Sequence, residues 1–194
     1  MLPKIQHGLA ILALLFVTGC ANTYNRVEMG GTERTHTRLD ESAAVLVMMP
    51  KDGGNGRKSY GGSGAVVAHT IDAAFSRYAR LVDIYPTEYH SLNEIKDIIA
   101  KNDYKYIIIP TVVSWTYGGA NWSKTATQVG VKISIIDAIS GRTISSNFLE
   151  SKGPSASSIY TLLDSDTEGP EELLSNLADD YVDDLYGALL SFPR

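Results

Sequence analysis

"TQVGVKISIIDAISGRTISSNFLE", residues 127–150, is the stretch on which the fold turns. Val129, Val131, Ile133 and Ile135 alternate with Gly130, Lys132 and Ser134, the period of a strand with one buried face. Ser140-Gly141 then supplies turn chemistry, and Ile144 and Phe148 share a face of the returning segment. Immediately upstream, "KYIIIPTVVSWTY" (105–117) is apolar on both faces and contains Pro110. Proline has no N–H to give to a ladder, so an edge position, a bulge or a bend is expected there. These three segments predict an antiparallel meander.

Outward from the meander the period changes. "AAVLVMMP" (43–50) is a continuous apolar run closed by proline, the pattern of a strand buried on both faces. In "SGAVVAHTIDAAFSRYARL" (63–81), Val67, Ile71, Ala74, Phe75 and Tyr78 recur at three- and four-residue steps, predicting an amphipathic helix with Ser63 as N-cap. "RLVDIYP" (80–86) is a short strand. "SLNEIKDIIAKNDY" (91–104) is a second helix, with Ser91 and Glu94 at capping-box spacing. The terminal segment "GPEELLSNLADDYVDDLYGALLSF" (169–192) sets Leu174, Leu177, Tyr181, Leu185 and Leu189 on one stripe behind Pro170 and two acids. Asp179, Asp180, Asp183 and Asp184 fall opposite that stripe and read as solvated surface charge. The order β-α-β-α-β-β-β-α predicts an α/β (α+β) domain, a mixed sheet of about five strands with helices packed against it.

The N-terminus sets the location. Lys4 and His7 precede an apolar core from Gly8 to Val17 and then Thr18-Gly19-Cys20, the build of a secretory signal. A core of about 10 residues is too short to span a bilayer. A signal ending in V-T-G-C resembles the bacterial lipobox, which implies cleavage before Cys20 and acylation of that residue, the only cysteine. Three fatty chains at roughly 0.8 kcal/mol per buried CH₂ exceed what stable anchoring needs. The residues after Cys20 are Ala21 and Asn22, without an adjacent aspartate, which favours the outer membrane with the domain facing the periplasm. The expected organisation is a signal peptide at 1–19, a lipidated cysteine and flexible tether at 20–42, and a single globular domain at 43–194. His36 lies in the polar tether and reads as a solvated side chain.

Charge and thiol content exclude other classes. The 194-residue chain carries 17 Lys+Arg against 22 Asp+Glu, a net charge of −5, with no basic stripe to release counterions from nucleic acid. With its one cysteine acylated, the protein has no disulfide to draw on, and 44% hydrophobic residues must supply a packed core instead.

The segments "NDYKYIIIPTVV" (102–113) and "ISIIDAISGRTISS" (133–146), with the lipobox and the strand-loop-helix opening, resemble the envelope lipoproteins around LpoB, CsgG and the N-terminal domain of TolB. The sequence is more closely similar to an uncharacterised family of short Gram-negative lipoproteins sharing the Gly-rich "PKDG…SYGGSG" loop. The resemblance covers residues 43 to 190 and implies fold more than activity, since Asp137 and Gly141 serve a hairpin. In this chain Asn102-Asp103 replaces the usual Ala-Asp pair, and Pro110 stands where glycine is commoner.

Candidate chemistry lies in the loops. "GGNGRKS" (53–59) imitates a phosphate cradle, but Arg57 takes a glycine position and "YGGSG" separates it from the next helix. "GGSGA" (61–65) imitates a nucleophile elbow at Ser63. About a dozen residues separate it from the preceding strand, and only His69 and His90 follow. "DSDTEG" (164–169) has the alternate carboxylates of a calcium loop, with Pro170 and Ser175 where ligands belong; an acidic loop leading into the helix is the other reading. No metal, cofactor or catalytic residue is therefore assigned. "SWTYGGANWS" (114–123) gathers Trp115, Tyr117, Asn121 and Trp122 around a glycine tip, either to cover a sheet end or to recognise a partner. With Arg57, Lys58 and Tyr60 of the Gly-rich loop, these are the expected partner-binding residues. The expected function is a non-enzymatic, membrane-anchored accessory module that binds an envelope protein or peptidoglycan. The alternatives are a small periplasmic hydrolase using the Gly-rich loop and a subunit of an oligomeric secretion assembly.

Overall fold

The computed structural model describes residues 23–28, 38–55, 58–89, 91–117, 126–153 and 169–187. In chain order the elements are β1 (Thr23–Glu28), β2 (Ala44–Met49), β3 (Gly54–Asn55), β4 (Lys58–Ser59), α1 (Ser63–Phe75) and β5 (Leu81–Glu88). They continue with α2 (Leu92–Asn102), β6 (Tyr104–Thr116), β7 (Gln128–Asp137), β8 (Thr143–Lys152) and α3 (Pro170–Tyr186). Six strands form one mixed sheet in the order β1-β8-β7-β6-β2-β5, and β3 and β4 form a small hairpin beside it. The predicted α/β class, the meander and the terminal helix are all present.

The meander forms as the alternation requires. In β6-β7-β8 both pairs are antiparallel, and Val129, Val131, Ile133 and Ile135 point into the larger core. Asp137 makes the β7–β8 turn: its carboxylate accepts the Ser140 N–H at 2.7 Å and its carbonyl accepts the Gly141 N–H at 2.8 Å. The Ser140 donors hold the Asp137 carboxyl below its ordinary value. The apolar run of β2 lies parallel to both β5 and β6. Its alternate residues enter different cores: Val45 and Val47 pack under α1 and α3, while Ala44, Leu46 and Met48 pack under α2 with Ile95 and Ile107.

Pro110 sits where a missing N–H costs least. Pairing with β2 ends at Val47 and Ile108, so from there β6 runs on with a partner on the β7 side alone among the described residues. A bulge follows between Val112 and Ser114. The inserted residue shifts the alternation by one, so Trp115 joins Val112 on the α1/α3 face and becomes 1% exposed.

Four sequence expectations need correction. The tether read over 20–42 supplies a sixth strand: β1 pairs antiparallel with β8 from Thr23 opposite Lys152 to Glu28 opposite Asn147. Leu39, also in that stretch, is buried, and its N–H donates to Leu185 O at 3.0 Å. Gly62 rather than Ser63 occupies the N-cap of α1. Ser91 holds the N-cap position of α2, yet its side chain makes no capping bond, so the capping box is not formed. The aspartates of α3 are not simply solvated. Asp179 lies 3.4 Å from Arg77, Asp183 accepts from Arg77 and from the Tyr78 hydroxyl at 2.9 Å, and Asp184 lies 2.5 Å from Arg26. They bind α3 to the turn that follows α1 and to β1, while Asp180 alone of the four is exposed. Leu174, Leu177 and Tyr181 form the expected buried stripe, whereas Leu189 lies outside the described residues. No helix among the described residues is long and apolar enough to cross a membrane.

Candidate functional site

Strand direction gathers several loops at one end of the sheet. Thr23 pairs with Lys152, Lys152 with Gln128, and Gln128 with Thr116, so the start of β1, the end of β8, the start of β7 and the end of β6 lie in one row. Because β2 and β5 run parallel to β6, their C-terminal ends point the same way. The Gly-rich segment after β2 therefore opens at this end, onto the part of β6 that extends beyond β2.

There it folds into a tongue against β6. Gly53 is buried, and a Cβ on it would come within 2.6 Å of Val112 Cγ1 and 3.3 Å of Trp115 Cβ. The Gly53 N–H donates to Ser63 Oγ at 2.8 Å, its carbonyl accepts the Tyr60 N–H at 2.9 Å, and β3 and β4 close the hairpin between. Asp52 caps α1 from ten residues away: Oδ2 accepts the Gly62 N–H at 3.0 Å and Oδ1 accepts the Gly64 N–H at 2.8 Å. This clasp needs two glycines for different reasons. Gly62 has φ +87°, and a Cβ on Gly64 would stand 2.4 Å from the Pro50 carbonyl oxygen.

The clasp decides the chemistry of the loop. An anion drawn to the N-terminus of α1 would meet the Asp52 carboxylate, to which the Gly62 and Gly64 N–H groups are already bonded. Ser63 is 3% exposed and its Oγ accepts a backbone N–H, the opposite of an exposed elbow nucleophile. His69, on the same helix, faces solvent. Among the described residues no three His, Cys, Asp or Glu side chains converge as metal ligands would.

Among the described residues, this end presents a pair of tyrosines. Tyr117 is 54% exposed, its ring tilts against Tyr60 at 6.4 Å between centroids, and its hydroxyl donates to Glu171 at the first turn of α3. That bond raises the Tyr117 pKa above its ordinary value. Thus two expected contact residues, Tyr60 and Tyr117, do come together. Trp115 does not join them: the bulge turns it inward, and it packs beneath the tongue as core. Arg57, Asn121 and Trp122, the Lys58 side chain, the carboxylates of 164–168 and Cys20 lie outside the described residues. Sequence reasoning missed Asp52 and Glu171. Both act on partners far along the chain, Asp52 across ten residues and Glu171 across 54, and no local motif marks them.

A model of the family described as "Domain of unknown function (DUF4823)" matches residues 37–185. No curated protein matches. Among solved structures, the PelC dodecamer from Paraburkholderia phytofirmans is similar at 15% identity, covering 86% of this chain and 98% of that one with a TM-score of 0.59. A variant of that PelC gives 16% identity, 84% and 98% coverage and a TM-score of 0.57. A Xanthomonas campestris protein of family DUF330 is 14% identical, with 82% and 92% coverage and a TM-score of 0.47. At these identities the PelC likeness is one of fold.

Proposed function

We propose that this chain, which belongs to the family described as domain of unknown function DUF4823, is a non-enzymatic lipoprotein of the bacterial outer membrane, anchored through Cys20. Its domain works as an accessory module whose contact surface is the tongue end of the sheet. The lipobox-like V-T-G-C run supports the anchor. The observation that carries the non-enzymatic part is the clasp. The Gly62 and Gly64 N–H groups that an anion site would need are bonded to Asp52, and the Ser63 hydroxyl that a nucleophile would need accepts the Gly53 N–H. The surface offered to a partner, an envelope protein or peptidoglycan, includes the paired tyrosines Tyr60 and Tyr117. The resemblance to the LpoB, CsgG and TolB group fits this role, since it rests on sheet motifs rather than on a site.

Mass spectrometry of the mature polypeptide tests the anchor. The expected N-terminus is Cys20 bearing acyl chains, with Cys20→Ser recovered in the soluble fraction; an unmodified thiol or a retained leader refutes it. For the surface, Tyr60→Ala/Tyr117→Ala is expected to lose envelope components that the parent protein co-purifies, and an unchanged set refutes the contact role. A second reading, a homo-oligomeric subunit, is favoured by the two outer edges of the sheet, on β1 and β5, which pair with no other strand among the described residues. PelC, which shares the fold, is a dodecamer. A monomer by light scattering removes that reading.

A further inference from the structure

The position of β1 fixes which end of the domain a lipid anchor would hold. Cys20 precedes Thr23 by three residues, a span of at most about 10 Å even when fully extended. Thr23 lies in the terminal row with Lys152, Gln128 and Thr116. At about 4.8 Å per strand, Thr116 is roughly 14 Å from Thr23 along that row. The opposite end, where the Asp137–Arg142 turn sits, is nine residues of β7 away, or about 30 Å. No swinging tether separates the acylated cysteine from the sheet.

The geometry points to the tongue end of the sheet resting at the lipid headgroups, so that the contact surface proposed above meets its envelope partner at the bilayer surface. This rests on the reading of Cys20 as acylated. Headgroups occupy the outer 5 to 8 Å or so of each leaflet. With Cys20 held there, Thr23 at the near end of the terminal row lies within about 10 Å of it. The side chains at this end suit that layer. Tyr24 is 45% exposed, one row in from Thr23, and Tyr117, 54% exposed, stands one residue past Thr116, with Tyr60 half-buried beside it. Tyrosine, with an apolar ring and a polar tip, is enriched at membrane interfaces. Two described lysines here are paired with acids. Lys51 lies 3.1 Å from Glu88 and Lys152 lies 3.5 Å from Glu150. The short connection and the tyrosines orient the domain.

The test uses the acylated, full-length mature protein in vesicles of zwitterionic phospholipid carrying a headgroup-attached fluorescence quencher. Acylation of Cys20 leaves an introduced cysteine as the only thiol to label. A label on Tyr117→Cys is expected to be quenched several-fold more than one on Ile139→Cys, which is 89% exposed in the turn at the far end. Lys51→Cys, whose native side chain is 75% exposed, gives the same contrast without touching the Tyr117–Glu171 contact. The contrast is expected to survive high salt. Inserting a Gly/Ser segment of about 20 residues before Thr23, with a span of roughly 25 Å, is expected to abolish most of it. Equal or reversed quenching on protein with acylated Cys20 overturns the orientation and leaves the anchor standing. Absence of acyl chains overturns both.

Discussion

Replacing Asp52 by alanine is expected to destabilise the domain by about 2 kcal/mol, although Asp52 lies in an exposed, glycine-rich loop. Its carboxylate accepts two N–H groups at the start of α1, at 3.0 and 2.8 Å, from Gly62 and Gly64. Loss of an N-cap side chain costs roughly 0.5–2 kcal/mol, and loss of a negative charge beside a helix N-terminus adds about 0.3–1 kcal/mol. Solvent access at Asp52 keeps the sum nearer the middle of that range. In a domain of this size each kcal/mol moves the melting temperature by roughly 2–4 °C, so Asp52→Ala should melt about 4–8 °C lower. Asp52→Asn retains one acceptor and should lose about half as much. Urea unfolding measures the total, and native-state hydrogen exchange at the Gly62 and Gly64 amides locates it. The tongue shares the clasp, because Ser63 Oγ accepts the Gly53 N–H. Ser63→Ala combined with Asp52→Ala is therefore expected to deviate from additivity by more than about 0.5 kcal/mol. An unchanged midpoint for Asp52→Ala, with both amides as protected as before, would falsify the clasp and restore an open anion site at α1.

Trp115→Ala is expected to cost about 3–5 kcal/mol, the range for emptying a buried aromatic site, whereas Tyr117→Ala at an exposed position should cost less than about 1 kcal/mol; similar losses from the two in denaturant titration would contradict the inward turn at the bulge. Tyr104 is pushed up to about 12 by burial and by its 2.6 Å bond to Asp83. The folded state favours its neutral form, so this contribution is complete below the ordinary value of 10 and lost as pH rises toward 12. Tyr104→Phe is expected to flatten the fall in stability across that window, and an unchanged slope would count against the Tyr104–Asp83 bond. Arg26→Ala is expected to speed hydrogen exchange at β1 amides while lowering global stability by about 1–2 kcal/mol. Unaltered exchange there would mean that β1 is held by something other than Arg26.

Much of the sheet can be read in the sequence because its signals are local. The alternation in β7, the apolar run of β2 and the Pro170-acid start of α3 each declare an element without reference to any other. The failures share the opposite cause. β1 is a short polar-looking strand, "TYNRVE", whose partners on β8 lie 119 to 129 residues away. Its described side chains, from Tyr24 to Val27, remain exposed, so no hydrophobic pattern betrays it. Trp115 was ambiguous because one inserted residue decides its face, and period counting cannot see a bulge. Ser63 has the chemistry of an N-cap, but Asp52 reaches the helix first and Ser63 turns to Gly53 instead. In the candidate site, "WTY" and "SYGG" were visible as segments; that Tyr60 and Tyr117 meet, and that Glu171 receives the Tyr117 hydroxyl, depends on tertiary placement.

The consequence that matters most is the difference between a tether and a strand. A free segment from Cys20 to Ser42 would let the domain wander by roughly 25 Å from its anchor. With β1 docked, the connection shrinks to about 10 Å and acquires a direction. What holds β1 is slight: a ladder on one side only, and Arg26, which donates to Asn147 at 3.2 Å, pairs with Asp184 and lies 5.0 Å from the centre of the Tyr181 ring. An exposed ion pair and a cation–π contact together contribute about 1–2 kcal/mol. An edge strand held this way opens at far lower cost than the core beneath it. If Cys20 is acylated as proposed, Arg26, on the edge strand, sets how closely the tyrosine tip is held to a membrane.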